Sequence, residues 1–231
     1  ASMALALFAL GAFLRDPRRG RALGLGLAVG LAQLVKFTAI YLYPIALLAA
    51  LLWPRGTSAR SPRSVGRRLL LALVTSLVVI HVGYGLQRTA EPLGNFTFVS
   101  EPLQAMQAAL PDWTPAPVPG DYLEAFDRQA RDVAAGDPSY LLGERYHGGR
   151  ADYYLVVLGA KLPLPSLLLL LMALGLPLRR RRPLDRERLL LLGVPIALLL
   201  FVHSLVSEKQ LGLRMVLPIL PLLWIWTAVT L

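Results

Sequence analysis

The sequence predicts an all-α fold: a polytopic transmembrane helical bundle with short, jagged helices and one long extracytoplasmic loop. Three observations carry that expectation. The 231 residues are 55% hydrophobic and only 16% charged, which excludes a disordered chain and fits an integral membrane protein. The apolar residues fall in long runs at 1–14, 22–53, 69–86, 155–178, 189–206 and 215–231, leaving no room for a separate soluble core. Fifteen of the 24 Lys and Arg residues cluster between those runs, in Arg15–Arg21, Arg55–Arg68 and Arg179–Arg188. This is the positive-inside pattern of cytoplasmic loops. A nucleic-acid groove would interleave its cations with aromatics, so the net charge of +10 implies the lipid bilayer as partner and no nucleic acid. The absence of Cys excludes disulfides and thiolate metal sites.

The elements follow in order. "ASMALALFALGAFL" opens the chain without a charged leader region or a cleavage site, and is shorter than the roughly 20 residues of a full span. It is expected to be a span cut part-way. Residues 1–231 then form a single transmembrane domain, a fragment lacking its N-terminal helices. Residues 22–53 are read as a hairpin with its tip near "LVKFTAIYLYP". One long helix instead would send Arg55–Arg68 and Arg179–Arg188 outside, against the charge bias. The hairpin's arms are short, about 22 Å each at 1.5 Å per residue. Residues 69–86 cross outward, 163–178 return, 189–206 go out and 214–231 come back.

Between them lies the extracytoplasmic loop, 88–152, with ten of the 14 acidic residues. "PDWTPAPVPG" within it is too Pro-rich for regular helix. "DYLEAFDRQARDVAAG" reads as an amphipathic helix, with Asp121 as N-cap, Glu124 completing a capping box and Gly136 as the stop. Leu123, Phe126, Ala130 and Val133 share its apolar face.

The candidate site residues are cations in unexpected places. In "AKLPLPS", proline suits the first turn of a helix, so a helix starts near Pro163 or Pro165 with Lys161 at its N-terminal end. That end carries partial positive charge and disfavours a cation. The same irregularity recurs in "SEKQLGLRMVLPILP", where Lys209 and Arg214 precede the last helix. A phosphate bound by side chains and free helix N–H groups would account for these cations; so would snorkelling to the headgroups. Lys36 interrupts a continuous apolar stretch and is open to the same two readings. Glu144, His147 and His203 do not have zinc spacing, and His81 and His203, alone in apolar runs, read as packing residues. No cofactor is called for, and a divalent metal is left open. Tyr153 and Tyr154 read as interfacial aromatics or substrate contacts. "NFT" at Asn95–Thr97 has the glycosylation acceptor pattern.

In combination these segments resemble a known family. "GLAVGLAQLVKFTAIYLYPIALL", "YLLGERYHGGRADYYLVVLGAKLPLPSLLLLL" and "KQLGLRMVLPILPLLW" are similar, in that order, to segments of polyprenyl-phosphate-sugar-dependent glycosyltransferases of the GT-C superfamily. Among such enzymes they resemble bacterial members of glycosyltransferase family 39, akin to protein O-mannosyltransferases and the aminoarabinose transferases of lipid A. The resemblance covers most of the chain except 90–138. It implies transfer of a sugar from a polyprenyl-phosphate carrier to an acceptor hydroxyl of a protein, lipid or glycan, on the extracytoplasmic side of the inner membrane. By position it makes Lys161 and Arg214 donor-phosphate ligands, Lys36 a weaker one, and Tyr153, Tyr154 and Glu144 substrate or lipid contacts. The family's catalytic carboxylate falls before residue 1, so no catalytic residue is expected within this chain, which is expected to be inactive alone. A transporter or flippase of a lipid-linked anion is the alternative, but no second copy of the Lys-x-Pro segment appears. A non-catalytic assembly subunit is the third reading.

Overall fold

Pro17 removes an amide and disfavours helical backbone at Asp16. The first apolar run therefore ends as α1 (Ser2–Arg15) and the chain restarts as α2 (Arg19–Val35). A computed structural model describes residues 1–54, 62–179 and 185–231 of the chain. It is 72% helix, so the all-α class holds. After α2 come α3 (Leu42–Leu52), α4 (Pro62–Gly83), α5 (Glu101–Ala109), α6 (Gly120–Ala135), α7 (Tyr153–Lys161) and α8 (Leu164–Arg179). Then α9 (Arg186–Arg188), α10 (Val194–Phe201) and two π-helical turns, Leu189–Gly193 and Val202–Val206, join as one helical run. α11 (Leu213–Val216) and α12 (Ile219–Thr230) complete the order. A small antiparallel hairpin, β1 (Ser139–Leu141) with β2 (Glu144–Tyr146), pairs Tyr140 with Arg145.

Two of these helices, Arg63–Gly83 and Arg186–Val206, are long and apolar enough to cross a membrane. Ser2–Arg15, Phe37–Leu52, Leu164–Leu176 and Ile219–Thr230 are apolar but shorter.

α2 and α4 form the tightest seam. A Cβ on Gly26 would collide with the Ala72 carbonyl, and one on Gly30 would lie 2.6 Å from Val79 Cβ. Gly83 of α4 meets Leu34 in the same way. Small residues four apart let two backbones approach this closely. The contacts advance together along both helices, from Gly26 against Thr75 to Gly30 against Val79 to Leu34 against Gly83, so α2 and α4 run parallel. The chain must reverse between them. It does so at Lys36, whose backbone is extended, followed by a 3-10 turn over Phe37–Tyr41 and then α3. Thus 22–53 is not one helix.

The basic clusters gather at one end of the bundle. Parallel packing puts the starts of α2 and α4 together. Arg15 Nε donates to Glu187 Oε2 at 2.9 Å, and Arg188 donates to the Val229 carbonyl at 2.8 Å, bringing in α9 and the end of α12. Arg55, Arg60 and Arg180–Arg182 lie outside the described residues.

The 88–152 loop carries its own small core of Leu93, Phe96, Phe98, Leu103, Ala116 and Leu123. Its entry, through Leu86, Arg88 and Ala90, has positive φ at three non-glycine residues, a strained path for L side chains. Arg88 binds Glu91, Asp121 and Glu124 at 2.7, 2.8 and 2.8 Å. Both acids of the expected capping box are thereby turned to Arg88. α6 begins at Gly120 with Pro119 as its N-cap, because a guanidinium offers the carboxylates stronger, charge-assisted bonds than a backbone N–H. Gly136, with φ +68, ends α6 as expected. Buried Asp127 accepts from the amides of Val99 and Ser100 at 2.7 and 2.9 Å and from the Ser100 hydroxyl at 2.5 Å, tying α6 to the start of α5.

Candidate functional site

The reversal at Lys36 opens the site. "VKFTAIY" is dense in β-branched and aromatic residues that hold helix poorly, and Pro44 falls in the first turn of α3, where its missing N–H is harmless. α6 is pinned above the break. The Tyr122 hydroxyl donates to Gln33 Oε1 at 3.1 Å, and its ring stands edge-on to Phe37 at 5.2 Å and Tyr84 at 5.9 Å. Phe37 also meets Phe126 at 6.0 Å. From the other side come His203, on the second π-helical turn, and the segment 207–215.

Between these walls lies a cavity of about 760 Å³. Lys36, Lys209 and Arg214 line it with His203, Gln33 and Thr38, and the apolar face of α6 closes it through Phe126, Ala130 and Val133. Lys36 Nζ donates to the backbone carbonyl of Arg214 at 3.0 Å, joining positions 178 residues apart. Lys209 is neutralised by Asp137 at 2.8 Å. Among the described residues neither Lys36 nor Arg214 has a carboxylate partner within salt-bridge distance. Two cations converge uncompensated on one cavity, whose acidic lining among the described residues is the exposed Asp132.

The Arg214 segment is held by a small hub. Gln210 Oε1 accepts from Tyr146 at 2.7 Å and from the Arg150 amide at 3.1 Å, while its Nε2 donates to the Arg150 carbonyl at 2.8 Å. The Gly212 amide donates to the Tyr153 hydroxyl at 2.8 Å. Gly212 itself has φ +57, a backbone that favours glycine, and a Cβ there would sit 3.3 Å from Lys161 Nζ.

The residues singled out in the sequence are thus placed unequally. Lys36, Arg214 and Lys209 meet at the cavity. Lys161 reaches Gly212 beside the Arg214 segment but is not in the lining. Tyr153 and Tyr154 are buried together, rings 5.0 Å apart, with Tyr154 packed 6.2 Å from His203 and neither in the lining. Glu144 is exposed on β2, 3.4 Å from Arg150 and apart from the cavity. Among the described residues no group of three His, Asp or Glu is placed to hold a metal. Sequence reasoning did not single out Gln33 and Thr38, and read His203 as packing. Their signal is that of Lys36: a polar side chain within an apolar run.

The chain matches no protein-family model, no curated protein and no solved structure.

Proposed function

We propose that the chain is a multi-pass membrane protein whose cavity binds the phosphate of a polyprenyl-linked sugar, as the donor side of a glycosyltransferase. The observation that carries this reading is the meeting of Lys36 and Arg214, without carboxylate partners among the described residues, at the mouth of a broken apolar helix. Uncompensated cations at such a place are expensive unless an anion joins them. The membrane part is supported by burial: only 17% of the apolar window in Arg63–Gly83 and 28% of that in Arg186–Val206 is buried, whereas the core helix of a soluble protein is mostly buried. Exposed Leu and Val side chains along α2, α4 and α8 form the kind of surface that water does not tolerate and lipid does. The gathering of basic clusters at the end opposite the cavity supports a cytoplasmic side there and an extracytoplasmic cavity.

In the reaction the acceptor oxygen bonds to the anomeric carbon while the bond from that carbon to the phosphate oxygen breaks with its electron pair. The acceptor's proton passes to a base, and polyprenyl phosphate leaves. Lys36 and Arg214 stabilise the charge that grows on the departing phosphate. The phosphate-binding role of the two cations is tested directly, by binding. In lipid nanodiscs the chain binds undecaprenyl phosphate in preference to undecaprenol, and Lys36→Met or Arg214→Met weakens that binding by about tenfold or more, the worth of one charge-assisted hydrogen bond. Equal affinity for the phosphate and the alcohol overturns the reading. Transbilayer movement of the lipid in vesicles, with retained binding, turns it toward a flippase.

A further inference from the structure

The cavity has a second chemical face. Among the described residues, buried polar side-chain atoms without a hydrogen-bond partner include Gln33 Nε2, Thr38 Oγ1 and both ring nitrogens of His203. All three residues line the same cavity as Lys36 and Arg214. Gln33 and His203 are only 2% and 3% exposed. Gln33 is held in place from one side, its Oε1 accepting from Tyr122, which leaves its amide hydrogens for another partner. His203 stands between the rings of Tyr41 and Tyr154, at 6.5 and 6.2 Å, on a π-helical turn, a distortion found often where a helix serves a ligand. Buried polar groups are nearly always paired in native proteins, so several orphans around one cavity call for a common partner.

An amide N–H₂, a hydroxyl and an imidazole together offer donors and acceptors in alternation, which is what vicinal hydroxyls match. A cationic group there would face Lys36 and Arg214 at close range with one exposed carboxylate, Asp132, to offset them. Resting on the phosphate-binding reading above, we infer that Gln33, Thr38 and His203 read the uncharged, hydroxyl-rich sugar of the donor, and select neutral sugars against amino sugars. The two cations hold the phosphate and the neutral trio distinguishes what it carries.

The test compares three probes on the nanodisc-embedded chain: undecaprenyl phosphate, the same lipid with a neutral hexose on the phosphate, and the same lipid with an amino-pentose. The wild-type chain prefers the hexosyl lipid to the bare phosphate by about tenfold, as one or two added hydrogen bonds allow, and shows no preference for the amino sugar. Thr38→Val and His203→Phe, which keep shape and remove the polar atoms, each lower the hexosyl-to-bare ratio by about threefold to tenfold. The mild Thr38→Val change carries the test should His203→Phe fail to fold. A wild-type ratio near one, a ratio untouched by both variants (the groups being satisfied by water), or a preference for the amino sugar overturns the inference while leaving phosphate binding in place. No binding of any of the three overturns both.

Discussion

Three glycines of α2 should respond to the same substitution with opposite signs. At Gly24 a Cβ meets nothing within 4 Å, so Gly24→Ala adds only helix propensity, which stabilises by up to about 1 kcal/mol. At Gly30 the Cβ falls 2.6 Å from Val79 Cβ and 2.9 Å from the Ser76 carbonyl, with ordinary contact beginning at 3.4 Å. Neither obstacle is the free end of a flexible side chain. α2 and α4 must therefore part by several tenths of an ångström, an overpacking that costs about 1–3 kcal/mol. Gly26, against the Ala72 carbonyl and Thr75, behaves likewise. The consequence reaches the cavity, because α2 delivers Gln33 and Lys36 to its wall. Unfolding of the purified chain by a graded SDS or thermal challenge in mild detergent, with undecaprenyl phosphate binding measured in parallel, reads both effects. Gly30→Ala and Gly26→Ala as stable as Gly24→Ala would refute the parallel glycine seam and with it the reversal at Lys36.

Other outcomes follow from the same structure. In this Cys-free chain, cysteines placed singly at the exposed Gly20 and Thr97 should label from opposite sides of a sealed vesicle with an impermeant maleimide; labelling of both from one side refutes the assigned orientation. Asp127→Ala leaves two amides and the Ser100 hydroxyl without their acceptor, so the 88–152 core should lose about 1–3 kcal/mol, seen as faster hydrogen exchange in α5. Burial by itself would raise the Asp127 carboxyl, but the bonds from Ser100 and Val99 together hold it below its ordinary 3.8. A carboxyl lowered on folding contributes stability that is full above its unfolded value and fades as pH falls through its folded value. Exchange protection of α5 should therefore hold at neutral pH and decline only below about pH 4, a decline that the Asp127→Ala chain lacks.

Much of the architecture is decided along the chain. Pro17 ends α1, the prolines after Lys161 announce α8, and Gly136 closes α6 with the positive φ that glycine tolerates. The charge pattern alone required 22–53 to double back, and the parallel course of α2 and α4 shows the same reversal at Lys36. These signals are local, since a proline, a glycine or a cluster of arginines acts on its own backbone or on the nearest interface.

The cavity is a different kind of fact. Lys161 and Arg214 looked as much like snorkelling anchors as like ligands, and Lys36 and Lys209 more like anchors, because a cation near a helix end has the same sequence signature in both roles. Only packing brings Lys36 Nζ onto the Arg214 carbonyl, pairs Lys209 with Asp137 and leaves Lys161 against Gly212. Packing likewise takes Asp121 and Glu124 from their capping roles to Arg88, 33 and 36 residues upstream. Composition and periodicity determine which segments are helix and which end of each is basic. Which polar atoms then face one another depends on helix rotation and close approach, which no local pattern encodes, so the chemistry of the cavity was decided in the tertiary structure alone.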